Sequence, residues 1–414
     1  MSVSSPSDTA IRPTWRHLRP PAPSCVLIKI NVRYLEKRSF FGMASSLAPH
    51  PARYWHQLDD GRIQCDLCPR LCKLHDGQRA FCFVRARHGD RIALTTYGRS
   101  SGFCVDPVEK KALNHFLPGT PVLSFGTSGC NLGCKFCQNW DISKAREYDV
   151  LAERAEPEDI ARAAERLGCA SVAYTYNDPV IFHEYAIDTA AAGHARGIKS
   201  IAVTAGYVCP EPRAEFYRHM DAANIDLKGF TEDFYHKVCY AHLQPVLETL
   251  VYVKRETSVW LEITTLLIPG LNDSEAELEA MTQWVVQKLG PDVPWHFTAF
   301  HPDWRMQDIP PTLRATLSRA RAIAMKNGVR YAYTGNVHDP TGQATYCHSC
   351  GTRLIGRDGY EITAWHLTEN ARCKNCGIDC AGVFADSPGT WGSRRMPVRI
   401  GGTARSDTGP PLDA

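Results

Sequence analysis

The sequence predicts an α/β fold: a partial (β/α) barrel of the TIM type, with a Cys-rich N-terminal cap and a small four-thiolate unit near the C-terminus. Three observations predict it. β-branched and aromatic runs recur through residues 121–335, helical patterns lie between them, and most of the seventeen cysteines fall in clusters. At 414 residues the chain can bury one large core and carry one or two small domains.

The strand candidates are "PVLSFG" (121–126), "SVAYTY" (171–176), "SIAVTA" (200–205), "NIDLKG" (224–229), "LEITTLLI" (261–268), "WHFTAF" (295–300) and "YAYTG" (331–335). They are nearly continuous in apolar character, as strands of a parallel sheet covered by helices must be. The intervening segments start and stop as helices do. "EPEDIARAAERLG" has Pro157 in its first turn, acids beside its N-terminus and Gly168 at its end. "NDSEAELEAMTQWVVQKLG" offers Asn272, Asp273 or Ser274 as a cap and stops at Gly290, and "PTLRATLSRARAIAMKNG" stops at Gly328. Seven strands fit a partial barrel or an open doubly wound sheet. Polar residues at successive strand ends favour the barrel: Cys130, Asn177–Asp178, Thr204, Asp226–Lys228, Thr264–Thr265, His301 and Asn336–His338. Strand ends converging on one mouth are how barrel enzymes build a site.

The boundaries read as an N-terminal extension (1–48), a Cys-rich cap (49–110), the barrel (111–340), a small metal unit (341–386) and a C-terminal tail (387–414) in which no strand or helix pattern is evident. Residues 1–42 are rich in Ser, Pro and Arg, with seven Lys/Arg against two Asp/Glu, and read as disordered, with Met43 opening the working chain. The whole chain carries +3, so the remainder is near −2 and shows no bias toward nucleic acid. No apolar run approaches the roughly 20 residues that span a bilayer. Metal-type cysteine spacing without a secretory signal points to the cytoplasm.

The chemistry starts in "SFGTSGCNLGCKFCQNW", where Cys130, Cys134 and Cys137 fall within eight positions. A disulfide needs pairs and a closed zinc site needs four ligands. Three thiolates suit a [4Fe–4S] cluster whose fourth iron has no protein ligand. Near the C-terminus, Cys347-x2-Cys350 and Cys373-x2-Cys376 form two knuckles, each followed by Gly, a zinc-ribbon pattern. In "CDLCPRLCKLHDGQRAFC", Cys65, Cys68, Cys72 and Cys82 suit either zinc or a second cluster, and the compact setting inclines the reading to a structural metal. Cys104 and Cys209 fall in loops, Cys239 follows a helix, and neither these nor Cys25 and Cys169 have a partner motif.

Cys130-x3-Cys134-x2-Cys137, with Phe136 before the last cysteine, resembles the radical S-adenosylmethionine (SAM) signature. With "VDPVEKKALNHFLPGTP", "TYNDPVIFHEY", "NIDLKGF", "LLIPGLND", "FHPDWRM" and "YTGNVHD", residues 50–400 resemble the radical enzyme of the AmmeMemoRadiSam system, related to pyruvate formate-lyase activating enzymes. The resemblance implies a radical SAM barrel and an enzyme that cleaves SAM to a 5′-deoxyadenosyl radical and abstracts hydrogen from a substrate. It implies cofactor contacts from Phe136, Asn177, Asp178, Thr204, Asp226, Lys228 and His301, with His301 and His338 also able to reach substrate or shuttle a proton. Asp178 stands where the family usually shows Glu, and Ala205 where it tends to have Asn. A structural reading of Asp226 and Lys228 is a salt bridge plugging the barrel. The implied partners are a low-potential donor such as flavodoxin or ferredoxin, and the Memo-like and AMMECR-like proteins of the same system. A glycyl-radical activase and a non-catalytic metal-binding adaptor are the alternative readings.

Overall fold

Apolar strand runs separated by helices can bury both faces of a sheet only by alternating, and that is how the chain is arranged. The computed structural model describes residues 50–145 and 153–400. The expected N-terminal extension, with Met43 and Cys25, lies outside them, as does the end of the expected tail.

The principal sheet holds nine strands: β1 (Phe103–Pro107), β2 (Pro121–Phe125), β3 (Ser171–Tyr174), β4 (Lys199–Thr204), β5 (Ala222–Asp226), β6 (Trp260–Leu267), β7 (Trp295–Ala299), β8 (Ala332–Gly335) and β9 (Met396–Val398). β2 to β8 are parallel neighbours in strict chain order, each pair joined through a helix or helical segment. β1 pairs antiparallel with β2, and β9 antiparallel with β1. Since β8 and β9 are the two ends of the sheet, the barrel is not closed. The covering helices include α1 (Pro157–Arg166), α2 (His183–His194), α3 (Pro210–Arg218), α4 (Leu243–Glu256), α5 (Glu275–Leu289) and α6 (Arg314–Lys326). α1 begins with a reciprocal capping box between Glu156 and Asp159, and Ser274 caps α5 by accepting from the Glu277 amide at 3.2 Å.

Two expectations need correction. Cys104 lies not in a loop but within β1, buried. The stretch from 387 is not patternless, because β9 completes the sheet edge. Pro397 is tolerated there because β9 is the outermost strand. β1 was hidden by its own composition, with Asp106 fully buried. The ammonium groups of Lys110 (2.8 Å) and Lys111 (2.7 Å) pair with that carboxylate and, against its burial, hold its pKa well below the usual range.

The cap contributes two small three-stranded sheets, one ordered Trp55–Gln57, Ile63–Cys65, Lys73–Leu74, the other His50–Pro51, Arg91–Leu94, Arg85–His88. It is fastened to the strand ends: the Cys209 amide donates to Leu67 O, and buried Arg85 pairs with Glu184 of α2 at 2.5 Å. At the other end of the sheet, Thr345–Tyr346, Arg353–Asp358 and Glu361–Trp365 form an antiparallel sheet around the C-terminal cysteines. Buried Arg357 docks it by donating to Asn114 O at 2.7 Å.

Candidate active site

The loop after β2 has to turn sharply and bring three thiols to one place, and glycine makes that possible. Gly126 packs so closely that a Cβ would lie 2.3 Å from Thr175 O, and Gly129 sits at φ +79° with Cys82 O in the same position at 2.0 Å. Asn177 braces this loop. Its Oδ1 accepts from the Thr127 amide at 3.1 Å, and its Nδ2 donates to Gly129 O at 2.8 Å. Asn131 Nδ2 donates to Tyr207 O at 2.9 Å, fixing the middle of the loop to the segment after β4.

On the other side the loop pairs with a π-helical turn, Tyr235–Cys239, a rare geometry that recurs at functional sites. The Gly133 and Lys135 amides donate to Cys239 O (2.9 Å) and Val238 O (3.0 Å). This turn brings Cys239, fully buried, against Cys134. The Cys239 thiol hydrogen-bonds Cys134 and holds its pKa below the ordinary thiol range against burial, with Lys228 and Lys144 contributing. Burial pushes Cys130 up to about 11, and burial likewise raises Cys137, whose Sγ lies 2.9 Å from Ser143 Oγ. Lys144 donates to Leu132 O at 2.8 Å and acts electrostatically on all three thiols. The sequence left Cys239 after a helix with no partner motif; it lies instead within the π-helical turn, where Cys134 is its partner, and Lys144 carried no sequence signal.

Phe136 is buried against Phe234, ring centroids 6.2 Å apart. Lys228 Nζ lies 5.8 Å from the Phe136 ring and donates to Asp226 Oδ2 at 2.8 Å. Burial works against the Lys228 ammonium, but Asp226 and the thiols of Cys134 and Cys239 outweigh it and raise its pKa well above ordinary. β5 ends at Asp226, so Lys228 lies just beyond the strand rather than within it. The pair is not sealed in: Lys228 is 15% and Asp226 33% exposed.

Asp178 and Thr204 come together as well, but through each other. Asp178 accepts from Thr204 Oγ1 (3.0 Å) and from the Ala205 (2.9 Å) and Val180 (3.0 Å) amides, while burial raises its pKa. Ala205 thus contributes its backbone amide to this cluster. His301 is exposed, with Nδ1 3.4 Å from Pro302 O, and His338 pairs with Asp358 at 2.9 Å on the surface. Neither joins the thiols. That region reaches the site through Trp304 and Arg305, which with Phe81, Cys130, Lys144 and Tyr240 line a cavity of about 300 Å³.

In the C-terminal unit, Cys347 and Cys376 Sγ stand 3.6 Å apart, and Cys350 and Cys373 3.7 Å. All four sulfurs lie within 4.8 Å of one another. Four thiolates on one zinc at about 2.3 Å would stand about 3.8 Å apart, so this group is compatible with a zinc ribbon. Gly351 and Gly377 close the knuckles by donating to Cys347 O (2.9 Å) and Cys373 O (2.8 Å).

The fit of the first loop to an iron–sulfur cluster rests on its donors. One short loop offers three thiols, and the ammonium groups of Lys144 and Lys228 act on it to offset the negative charge that a thiolate-bound cluster carries. Residues 125–281 match the radical SAM superfamily. Uncharacterized protein MJ0808 of Methanocaldococcus jannaschii is 39% identical over 327 residues, 79% of this chain and 97% of that protein. Among solved structures, a domain of the pyruvate-formate lyase-activating enzyme from Bacteroides vulgatus is 18% identical with a TM-score of 0.36, covering 40% of this chain and 99% of that one. A radical SAM methyltransferase from Sphaerobacter thermophilus is 14% identical with a TM-score of 0.44, covering 69% and 76%. The chain belongs to the same family as the Methanocaldococcus jannaschii protein and is an enzyme of the radical SAM class.

Proposed function

We propose that this enzyme holds a [4Fe–4S] cluster on Cys130, Cys134 and Cys137, binds SAM beside it, and abstracts hydrogen from its substrate as the radical component of an AmmeMemoRadiSam-type system. The observation that carries this reading is that one short loop after β2 carries all three thiols, with Cys134 acting electrostatically on both of the others, supported by the family motifs in the same order along the chain. Held by Cys130, Cys134 and Cys137, the cluster would supply the electron for reductive cleavage of SAM to a 5′-deoxyadenosyl radical.

The chain's own residues bind, orient and exclude water. Asn177 positions the thiol loop through four hydrogen bonds, so its role is bracing rather than direct contact. The Asp178–Thr204–Ala205 cluster fixes the ends of β3 and β4, where the methionyl group would sit. Asp226 and Lys228 are a charged, partly open pair beside Cys134, suited to a zwitterionic ligand. Tyr240 and Trp304 form an aromatic wall over the Cys130 side. On this reading residues 49–110 carry the cap and the antiparallel strand β1, 111–340 the catalytic barrel and 341–386 a zinc ribbon. A low-potential protein such as flavodoxin or ferredoxin supplies electrons, and the Memo-like and AMMECR-like proteins are the partners in which to seek the substrate.

The test is anaerobic incubation of the reduced enzyme and SAM with each deuterated candidate, followed by mass spectrometry of deoxyadenosine. Deuterium transferred from the Memo-like or AMMECR-like protein, or from a small molecule bound to it, supports the proposal. Transfer only from the glycine of a glycyl-radical enzyme would replace it with an activase function.

A further inference from the structure

The chemistry above leaves the four cap cysteines unused. Cys65 ends the central strand of its small sheet, and its amide donates to Cys72 O at 2.9 Å, while the Leu71 amide donates to Cys68 O at 3.1 Å. This tight turn, with Leu71 at φ +45°, brings three of the cysteines together. Cys82 arrives from a second turn, closed by the Phe83 amide on Ala80 O at 2.9 Å. The four residues line one small cavity together with Arg70 and Arg85. Cys65, Cys68 and Cys82 are buried and Cys72 is half-buried. Burying this many thiols around a common space, beside Arg70 and the Glu184-paired Arg85, suits a thiolate–metal centre.

The C-terminal unit supplies an internal standard for a single-ion site. There four sulfurs lie within 4.8 Å of one another, as one zinc demands. Among the described residues the cap cysteines do not form a comparably tight group. A cubane places each thiolate on a separate iron, so its four ligands stand on a wider frame than those of a single ion.

We propose that Cys65, Cys68, Cys72 and Cys82 hold a second [4Fe–4S] cluster. With a thiolate for every iron it has no open position for SAM, which separates it from the cluster on the barrel loop. The two centres are neighbours: Cys82 O packs on Gly129, immediately before Cys130, and Arg70 Nε donates to Asn131 O inside the loop.

The test uses the full chain carrying Cys130→Ala, Cys134→Ala and Cys137→Ala together, which leaves the cap untouched. After anaerobic reconstitution with iron and sulfide, about four iron and four sulfide per chain should remain, half the parent content, with a reduced-state paramagnetic signal that SAM does not alter. A triple variant holding no iron overturns the proposal, and a zinc count of two per chain would make the cap a zinc site. In the complementary chain, Cys68→Ser with Cys72→Ser should halve the iron and keep the SAM-responsive signal. Loss of zinc with iron unchanged would again overturn it. Should that variant fail to fold, the triple variant decides alone.

Discussion

Replacing Lys228 by Met separates ligand binding from architecture. The ammonium lies 2.8 Å from Asp226 Oδ2 and acts on Cys134, yet Asp226 is 33% exposed. Water can therefore solvate the carboxylate once its partner is gone. The stability cost is that of a partly exposed pair, at most about 1 kcal/mol, and Met retains the packing of the stem. A zwitterionic ligand would lose a charge-assisted contact, and a tenfold loss of affinity, roughly 1.4 kcal/mol, is the least such a loss should produce. Anaerobic calorimetric titration of SAM into the cluster-loaded variant measures the affinity, and thermal denaturation measures the fold. The expected result is unchanged iron content, a nearly unchanged melting temperature and at least tenfold weaker binding. Collapse of the fold, with affinity unchanged in the soluble fraction, would show that the pair is a structural plug and remove both residues from the site.

Two further predictions concern the far end of the molecule. Cys373→Ser should release about one zinc per chain and make residues 345–382 protease-sensitive while the barrel stays resistant, because metal supplies about 10–16 kcal/mol to a unit of this kind; unchanged zinc would place that metal elsewhere. His115, buried between Ala381 O (2.6 Å) and the Tyr333 hydroxyl (2.5 Å), has its pKa pulled down to about 4 by burial, with Glu262 opposing. The unfolded chain takes up that proton near pH 6.5 while the folded chain stays neutral to about pH 4. Stability should thus fall as pH drops through this window, by up to about 3 kcal/mol, and His115→Gln should flatten the slope; parallel pH profiles for the two chains would contradict this.

The seven parallel strands were legible because a doubly covered strand must be apolar throughout, and each was located within a few residues. The thiol loop was legible because its spacing is local. What escaped was set by topology. β1 looks polar until Lys110 and Lys111 neutralise Asp106, and β9 is a three-residue strand that exists only because an edge is there to receive it. Cys239 reaches Cys134 from more than a hundred residues away through a π-helical turn, a geometry no periodicity announces. Conversely, His301 and His338 looked suited to chemistry by residue type, but the chain turns both to solvent, and Trp304 and Arg305 line the cavity instead. Asn177 shows a third case: the residue is at the site, yet its polar atoms are occupied in holding the loop.

On the proposed function, three thiols hold a cluster with an iron left open for SAM. Electron paramagnetic resonance of the anaerobically reduced enzyme tests it most directly, with and without SAM, in the parent chain and in Cys134→Ala. The expected result is a [4Fe–4S]⁺ signal that shifts on SAM addition in the parent, and no SAM-responsive signal in the folded variant. A SAM-dependent shift that survives in Cys134→Ala would contradict it.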